Sequence, residues 1–248
     1  MIKSVLAAYL LLLIPALISW IEGLGLQKDI VVASLRAFVQ LLILSSVILY
    51  FFKLPVIFNI GFVFLMLVSG CIIAMERGKG VPHSFVISFA SMFISFLPVF
   101  ILLFVSGILK MVPNIFVPIS GMLLGNSTKA LSMVFNRTQK QVEENHEIIE
   151  AAFLDGAGYI EASKIFMIDV MNVALIPQID GLKILGIVHI PGTMAGLLIG
   201  GVRPLDAAFY QLIVAYSIAS IYVFTTFIGA YLSFLLLLKE RYEKTAGK

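Results

Sequence analysis

Charged residues are scarce in this chain, and their scarcity indicates what class of protein it is. Only 12% of the residues are Asp, Glu, Lys or Arg, whereas 60% are hydrophobic and the mean hydropathy is +1.07. This composition excludes an ordinary soluble domain and predicts an integral membrane protein. Long apolar runs with weak alternation favour helices over an outer-membrane barrel. The formal net charge of +3 is too small to indicate nucleic-acid binding.

Residue types that build disulfides, metal sites and catalytic centres are also rare. Cys71 is the only cysteine, so an intramolecular disulfide is excluded and nothing indicates an oxidising compartment. The histidines, His83, His146 and His189, are far apart and belong to no Cys/His motif, so we predict no metal ligand. No Ser/His/Asp arrangement, hydrolase motif or cofactor box is present, and we predict no catalytic residue.

Long apolar segments fill the 248 residues and predict an all-α, polytopic membrane helix bundle of about seven transmembrane helices in one domain, 1–248. The predicted spans are approximately 1–21, 30–52, 55–75, 82–108, 113–135, 168–201 and 205–238. The sixth, at 34 residues, is too long for one span and short for two. We therefore predict a broken or partly re-entrant helix there, with Pro177, Pro191 and Gly192 as hinges.

Six polar side chains inside the predicted spans are candidates for a transport pathway. Because a charge in hydrocarbon is costly, such residues face protein or a water-filled cavity rather than lipid. Structural ion pairing and interhelical hydrogen bonds are equal alternatives, and a residue near the membrane edge can snorkel. Spacing of three or four residues places them pairwise on one helical face. The pairs are Arg36 with Gln40, Asn126 with Lys129, and Asp180 with Lys183.

The longest polar run, about 136–167, contains 9 of the 31 charged residues and lies between apolar segments. It includes Glu150, Ala151 and Ala152, an acidic residue and two small ones, followed by Asp155 and Gly156. Such a helical segment either docks a partner or is a solvated connector. With the N-terminus outside, this segment, two other loops and the tail carry ten Lys and Arg residues, against four on the opposite side. The distribution predicts a cytoplasmic segment and C-terminus.

Glu-Ala-Ala followed by three residues and Gly resembles the coupling loop of ABC-transporter permeases, in which a short helix rests on a separate ATPase subunit. The resemblance gives Glu150, Ala151, Ala152, Asp155 and Gly156 that coupling role. Import permeases typically place Leu-Pro about twelve residues after the glycine. This chain has its Leu-Ile-Pro later, ending at Pro177, which does not fit an ordinary solute importer.

A resemblance over some 180 positions is more specific. The chain is similar to the FetB-type iron-export permeases, a family whose plant relatives act in aluminium tolerance. The residues that carry this resemblance share their order and spacing with the family: Arg36, Gln40, Leu41, Pro118 to Met122, Gly125, Asn126, Ala174 to Pro177, Asp180, Lys183, Gly186, Val188, Ile190 to Gly192, Met194, Gly196, Gly200, Pro204, Tyr210 and Gln211.

The family resemblance implies a permease subunit in the inner (plasma) membrane that exports metal cations such as iron. The chain has no Gly-x-x-x-x-Gly-Lys-Ser/Thr phosphate loop, so ATP is expected on a partner ATPase and no cofactor on this chain. A homodimer in membrane lipid is expected from this architecture. Two alternatives are an autonomous secondary transporter or channel, and a membrane scaffold that holds a cytoplasmic partner.

Overall fold

Helices are the main secondary structure in the part of the chain that the structure describes. This computed structural model describes the backbone of residues 2–246 and the side chains of residues 3–5 and 7–242; Met1 of the predicted first span and Lys248 of the basic tail lie outside these residues. The helices within that range are α1 (Ile2–Ile21), α2 (Gln27–Lys53), α3 (Val56–Arg77), α4 (Ser84–Val105), α5 (Pro113–Glu144), α6 (His146–Leu154), α7 (Tyr159–Lys183), α8 (Gly192–Ile199) and α9 (Pro204–Ala246). The all-α prediction is confirmed.

Two compact units make up the chain, Met1–Phe58 and Asn59–Lys248. In the first unit, α1 and α2 are joined by a tight turn in which the Leu26 N–H donates to Ser19 Oγ at 3.0 Å. Gly23 and Gly25 adopt φ values of +66° and +74° in this turn, a conformation that only glycine adopts without strain. Helix α2 has no buried residue within its own unit.

In the second unit, α9 is the central element and packs against α4, α5, α7 and α8. Helix α5 contributes 15 of its 32 residues to the interior, because small and apolar side chains such as Ala130, Leu131 and Val134 recur at helical spacing. The core continues through Phe234 and Leu238 toward the end of α9, where neither side chain is accessible. The long α9 therefore holds together the helices that flank the polar segment.

The predicted membrane spans correspond to long helices with shifted ends. By length and composition, six helices of the described chain can cross a membrane: α1, α2, α3, α4, α7 and α9. Helix α5, the predicted fifth span, falls below this criterion because polar residues such as Asn126, Lys129 and Arg137 interrupt its apolar sequence, and its crossing stays a prediction. The protein is therefore a multi-pass membrane protein.

The helical segment 168–201 is interrupted between Lys183 and Gly192 and not at Pro177. Helix α7 continues through Pro177 to Lys183, and the chain leaves the helix only at Ile184. The reversal lies at Gly186, whose φ is +78° and whose N–H donates to the carbonyl of His189 at 2.9 Å. Pro191 and Gly192 then begin the eight-residue α8. The segment 168–201 thus comprises most of one complete span and a separate short helix.

Candidate functional site: the helix between α5 and α7

Helix α6 occupies the middle of the polar segment. The stretch that connects α5 to α7 is shorter than the predicted 136–167. Helix α5 extends to Glu144 and α7 starts at Tyr159, so only 145–158 separates them. The helical prediction for Glu150, Ala151 and Ala152 is confirmed, and Asp155 follows as the C-terminal cap. A sequence rich in polar residues continues a helix as readily as it forms a loop, which explains the difference in bounds.

Gly156 ends α6 in the left-handed conformation. Its φ is +92°, and its N–H donates to the carbonyl of Phe153 at 3.0 Å. The next N–H, of Ala157, donates to the carbonyl of Ala152, also at 3.0 Å. These two bonds satisfy carbonyls that a helix end otherwise leaves unpaired, and they depend on a glycine at the position of positive φ.

One side of α6 is anchored to the ends of α5, α7 and α9. Ile149 is completely buried in a cluster that includes Val142, Met167 and Phe234. The Phe153 ring lies 5.3 Å from that of Tyr159 and 4.4 Å from that of Tyr242. Burying one large aliphatic side chain in this way is worth about 2 kcal/mol. Helix α6 is therefore packed onto the bundle.

The other side of α6 is exposed and combines apolar and acidic side chains. Leu154 is 85% exposed and Ile148 61%. Glu147, Glu150 and Asp155 are exposed around them. We call these five residues the α6 outer face. Large exposed apolar side chains within a charged rim are typical of surfaces that bind another protein.

A polar network that the sequence reading did not identify lies beneath α6. Asp169 Oδ2 on α7 accepts hydrogen bonds from Gln141 Nε2 at 2.6 Å and from Arg137 Nη2 at 3.1 Å. Asn145, at the junction of α5 and α6, donates to Gln141 Oε1 at 2.8 Å. The spacing of Arg137, Gln141 and Asn145, four residues apart on one helical face, is the signal in the sequence.

The three pairs of pathway candidates lie on three different helices. Arg36 and Gln40 are exposed on α2, in the first unit. On α5, Asn126 donates its amide to the carbonyl of Met122 at 2.8 Å, and Lys129 is exposed. Lys183 and Asp180 form the expected ion pair at 2.9 Å, although their side chains remain 69% and 57% exposed. Among the described residues of the second unit, no hydrogen bond joins the α5 pair to the α7 pair.

Further polar contacts connect helices in the interior of the second unit. Thr225 of α9 donates to Ser127 of α5 at 3.2 Å, and both side chains are fully buried. Thr193 of α8 donates to Gln211 of α9 at 2.5 Å, which attaches the short helix to the bundle. Within the described part of the chain, no group of three or more His, Cys, Asp or Glu side chains could hold a metal ion.

Comparison with known proteins identifies the family. Residues 2–237 match the family model described as "Uncharacterised protein family (UPF0014)". The chain is 30% identical over 245 residues to the probable iron export permease protein FetB of Escherichia coli, covering 97% of this chain and 93% of that protein. It is 31% identical over 215 residues to the UPF0014 membrane protein YjkA of Bacillus subtilis, covering 86% and 82%.

A plant relative is also similar. The protein ALUMINUM SENSITIVE 3 of Arabidopsis thaliana is 25% identical over 216 residues, covering 84% of this chain and 77% of that protein. No solved structure matches the chain significantly. The predicted resemblance to FetB and its plant relatives is confirmed, and the chain belongs to the UPF0014 family of multi-pass membrane proteins.

Proposed function

We propose that this chain is the membrane-spanning permease subunit of an ABC transporter, driven by ATP that a separate ATPase subunit hydrolyses. The observation that carries the proposal is the form of α6. This short helix is anchored on one side through Ile149 and Phe153 and presents the α6 outer face on the other. A helix that is packed onto the ends of α5, α7 and α9 and also binds a partner can transmit the partner's movement to the bundle.

The proposed arrangement places α6 in the cytoplasm. The excess of Lys and Arg in the segments on that side of the membrane supports this orientation. We expect two copies of the chain to pair in the membrane and two ATPase subunits to bind beneath them. When the ATPases close on ATP, α6 moves with them, and the helices joined to it switch the accessible side of the transport pathway.

The proposed cargo is a metal cation, with iron as the first candidate. Support comes from the name of the E. coli relative, probable iron export permease protein FetB, which is similar over nearly the whole chain. Among the pathway candidates, Gln40, Asn126 and Asp180 carry side-chain oxygen atoms that can contact a cation. The other three are positively charged and have no acceptor atom, so they cannot bind one. Weak, successive contacts of this kind suit a transported ion, which must leave as readily as it enters.

Co-purification tests the proposal. The full-length chain is solubilised in detergent and recovered by a tag, and the bound proteins are assayed for ATP hydrolysis with and without Fe²⁺. We expect a nucleotide-binding subunit to co-purify with the wild-type chain and its hydrolysis to rise on addition of the metal. In the Leu154→Asp variant we expect recovery of that subunit to fall at least tenfold, because the charge enters the α6 outer face.

The matched control is Ile199→Asp. Ile199 is 89% exposed at the end of α8, a comparable apolar side chain in a different part of the chain. Recovery of the ATPase should remain at the wild-type level in this variant. A wild-type chain that copurifies with no ATPase, and that carries ions in a proton gradient without ATP, would instead identify an autonomous transporter. Partner binding without ion flux would identify a scaffold.

A further inference from the structure

The bend between α5 and α6 is held by a side chain rather than by backbone contacts alone. Asn145 ends α5 and begins α6. Its Nδ2 donates both to the backbone carbonyl of Gln141 at 2.9 Å and to Gln141 Oε1 at 2.8 Å. The direction in which α6 leaves α5 therefore depends on where the Gln141 side chain lies.

The Gln141 side chain is in turn held by α7. Its Nε2 donates to Asp169 Oδ2 at 2.6 Å, and Arg137 Nη2 donates to the same oxygen at 3.1 Å. Both bonds end on a carboxylate, and hydrogen bonds to a charged group are stronger than those between neutral groups. Gln141 is only 8% exposed, so water cannot easily replace a lost partner of its amide. The side chains of Arg137 and Asp169 are 38% and 44% exposed, so solvent screens their direct ion pair. Arg137, Gln141, Asn145 and Asp169 form the α5–α7 relay.

The relay and the apolar anchor of α6 have different mechanical properties. Contacts around Ile149 are non-directional, so they hold α6 against the bundle but permit it to slide or rotate. Hydrogen bonds require defined distances and angles, so the relay sets the orientation of α6 relative to α7. A displacement of the bend pulls on Asp169, which lies about 15 Å along α7 from its first residue.

We propose that Gln141 and Asp169 are positioning residues that transmit the movement of α6 to α7 and so couple ATP hydrolysis to transport. This inference rests on the proposed function, and it adds the residues through which the ATPase acts on the bundle. Neither residue binds the ATPase or the cargo. Their removal leaves partner binding intact and separates hydrolysis from transport.

The experiment compares Gln141→Leu and Asp169→Asn with two matched controls in the full-length chain. Leucine keeps much of the volume of glutamine without its hydrogen bonds. Gln139→Leu makes the same change two residues away, where the amide donates to the exposed Glu143 at 3.1 Å, lies beside Gly80 and takes no part in the relay. Asp206→Asn changes another aspartate that pairs with an arginine, Arg203, at 2.7 Å and outside the relay. Reversal of the relay pair, Arg137→Asp with Asp169→Arg, keeps two opposite charges but leaves Gln141 Nε2 without an acceptor on α7.

Two readouts separate this inference from the proposed function. Amide hydrogen exchange of residues 146–154 in lipid nanodiscs needs no partner, and we expect it to accelerate at least tenfold in both relay variants and in neither control. Transport per ATP hydrolysed, with the copurified ATPase, should fall at least fivefold in the relay variants and in the reversed pair, and should stay at the wild-type level in both controls.

Each outcome decides the inference. Unchanged exchange in α6 would show that the relay does not position it. Faster exchange with normal transport per ATP would show that this positioning does not couple the two activities. A relay variant that no longer binds the ATPase, or that unfolds throughout while the controls stay folded, would also overturn the proposal, because the residues would then hold the fold rather than position α6. If the wild-type chain recruits no ATPase, the proposed function is wrong, and the coupling role of Gln141 and Asp169 is wrong as well.

Discussion

The glycines at which helices of the second unit approach each other closely lie outside the GxxxG motif of α5. Gly121 and Gly125 form a GxxxG pair, yet a Cβ at Gly125 would have no atom within 4 Å. The close approaches occur at Gly70, opposite Thr128, and at Gly229, opposite Leu131. A glycine pair in an apolar helix has no preferred partner in the sequence, and only the tertiary arrangement shows which glycine is crowded.

Gly70→Ala is expected to destabilise the protein. A Cβ at Gly70 would lie 2.5 Å from Thr128 Oγ1 and 2.9 Å from Met92 Cε. Thr128 Oγ1 cannot move freely because it donates to the carbonyl of Leu124 at 3.0 Å. Overpacking of this kind costs about 1–3 kcal/mol, and we expect a lower midpoint of thermal unfolding in detergent.

Gly61→Ala in the same helix is the control for Gly70→Ala. A Cβ at Gly61 would meet no atom within 4 Å, so the higher helix propensity of alanine should leave stability unchanged or raise it by up to about 1 kcal/mol. Adding Thr128→Ala to Gly70→Ala removes the crowded oxygen and should restore most of the midpoint. Equal midpoints for the two single alanine variants would contradict the crowding argument.

At the scale of elements, the apolar spans and α6 were predictable from the sequence, and the connections between helices were not. Apolar runs of about 20 residues mark helices in a membrane protein because an unpaired backbone is too costly in lipid. Outside the membrane that constraint ends, so the extension of α5 to Glu144 could not be read from polarity. The pairing of Arg137 with Asp169, 32 residues away, requires the register of two packed helices.

The positions of prolines also show that local sequence does not determine where a helix ends. Pro177 was a reasonable candidate for a helix break because proline lacks the N–H for one helical bond. The helix nevertheless continues through it, and the chain reverses at Gly186, where φ is +78°. Several glycines in that region could equally well adopt a positive φ, so the sequence alone does not identify the turn. Tertiary contacts such as the hydrogen bond from Thr193 to Gln211 fix the position of the next helix.

A prediction about a single element concerns the turn at Gly156, which ends α6. Gly156→Pro should uncouple ATP hydrolysis from transport, because proline cannot adopt a φ of +92° and has no N–H to donate to Phe153. Gly158→Pro is a close control, since the φ of Gly158 is −72° and fits proline. We expect transport per ATP hydrolysed to fall at least fivefold in the first variant only, measured in proteoliposomes with the ATPase. Similar coupling in both variants would refute a role for the Gly156 turn.

Orientation is a property of the whole molecule, and it determines whether α6 can meet a cytoplasmic ATPase at all. The distribution of Lys and Arg predicts that the loop after α3 lies inside the cell and the loop after α4 outside. Lys79 and Lys110 are exposed residues in these two loops. The single native cysteine, Cys71, is buried, so Cys71→Ser gives a background in which one introduced cysteine can be labelled selectively.

In intact cells, a membrane-impermeant maleimide should label the Lys110→Cys variant and leave the Lys79→Cys variant unmodified. Permeabilised cells should show labelling of both, which confirms that each introduced cysteine is reactive. Because α5 is predicted to cross the membrane between Lys110 and α6, the reverse pattern would place α6 outside, where no ATP is available, and would exclude the proposed ATPase partner whatever the similarity to other permeases. The expected pattern puts the α6 outer face, the relay and the basic end of α9 on the same side as ATP, which the proposed mechanism requires.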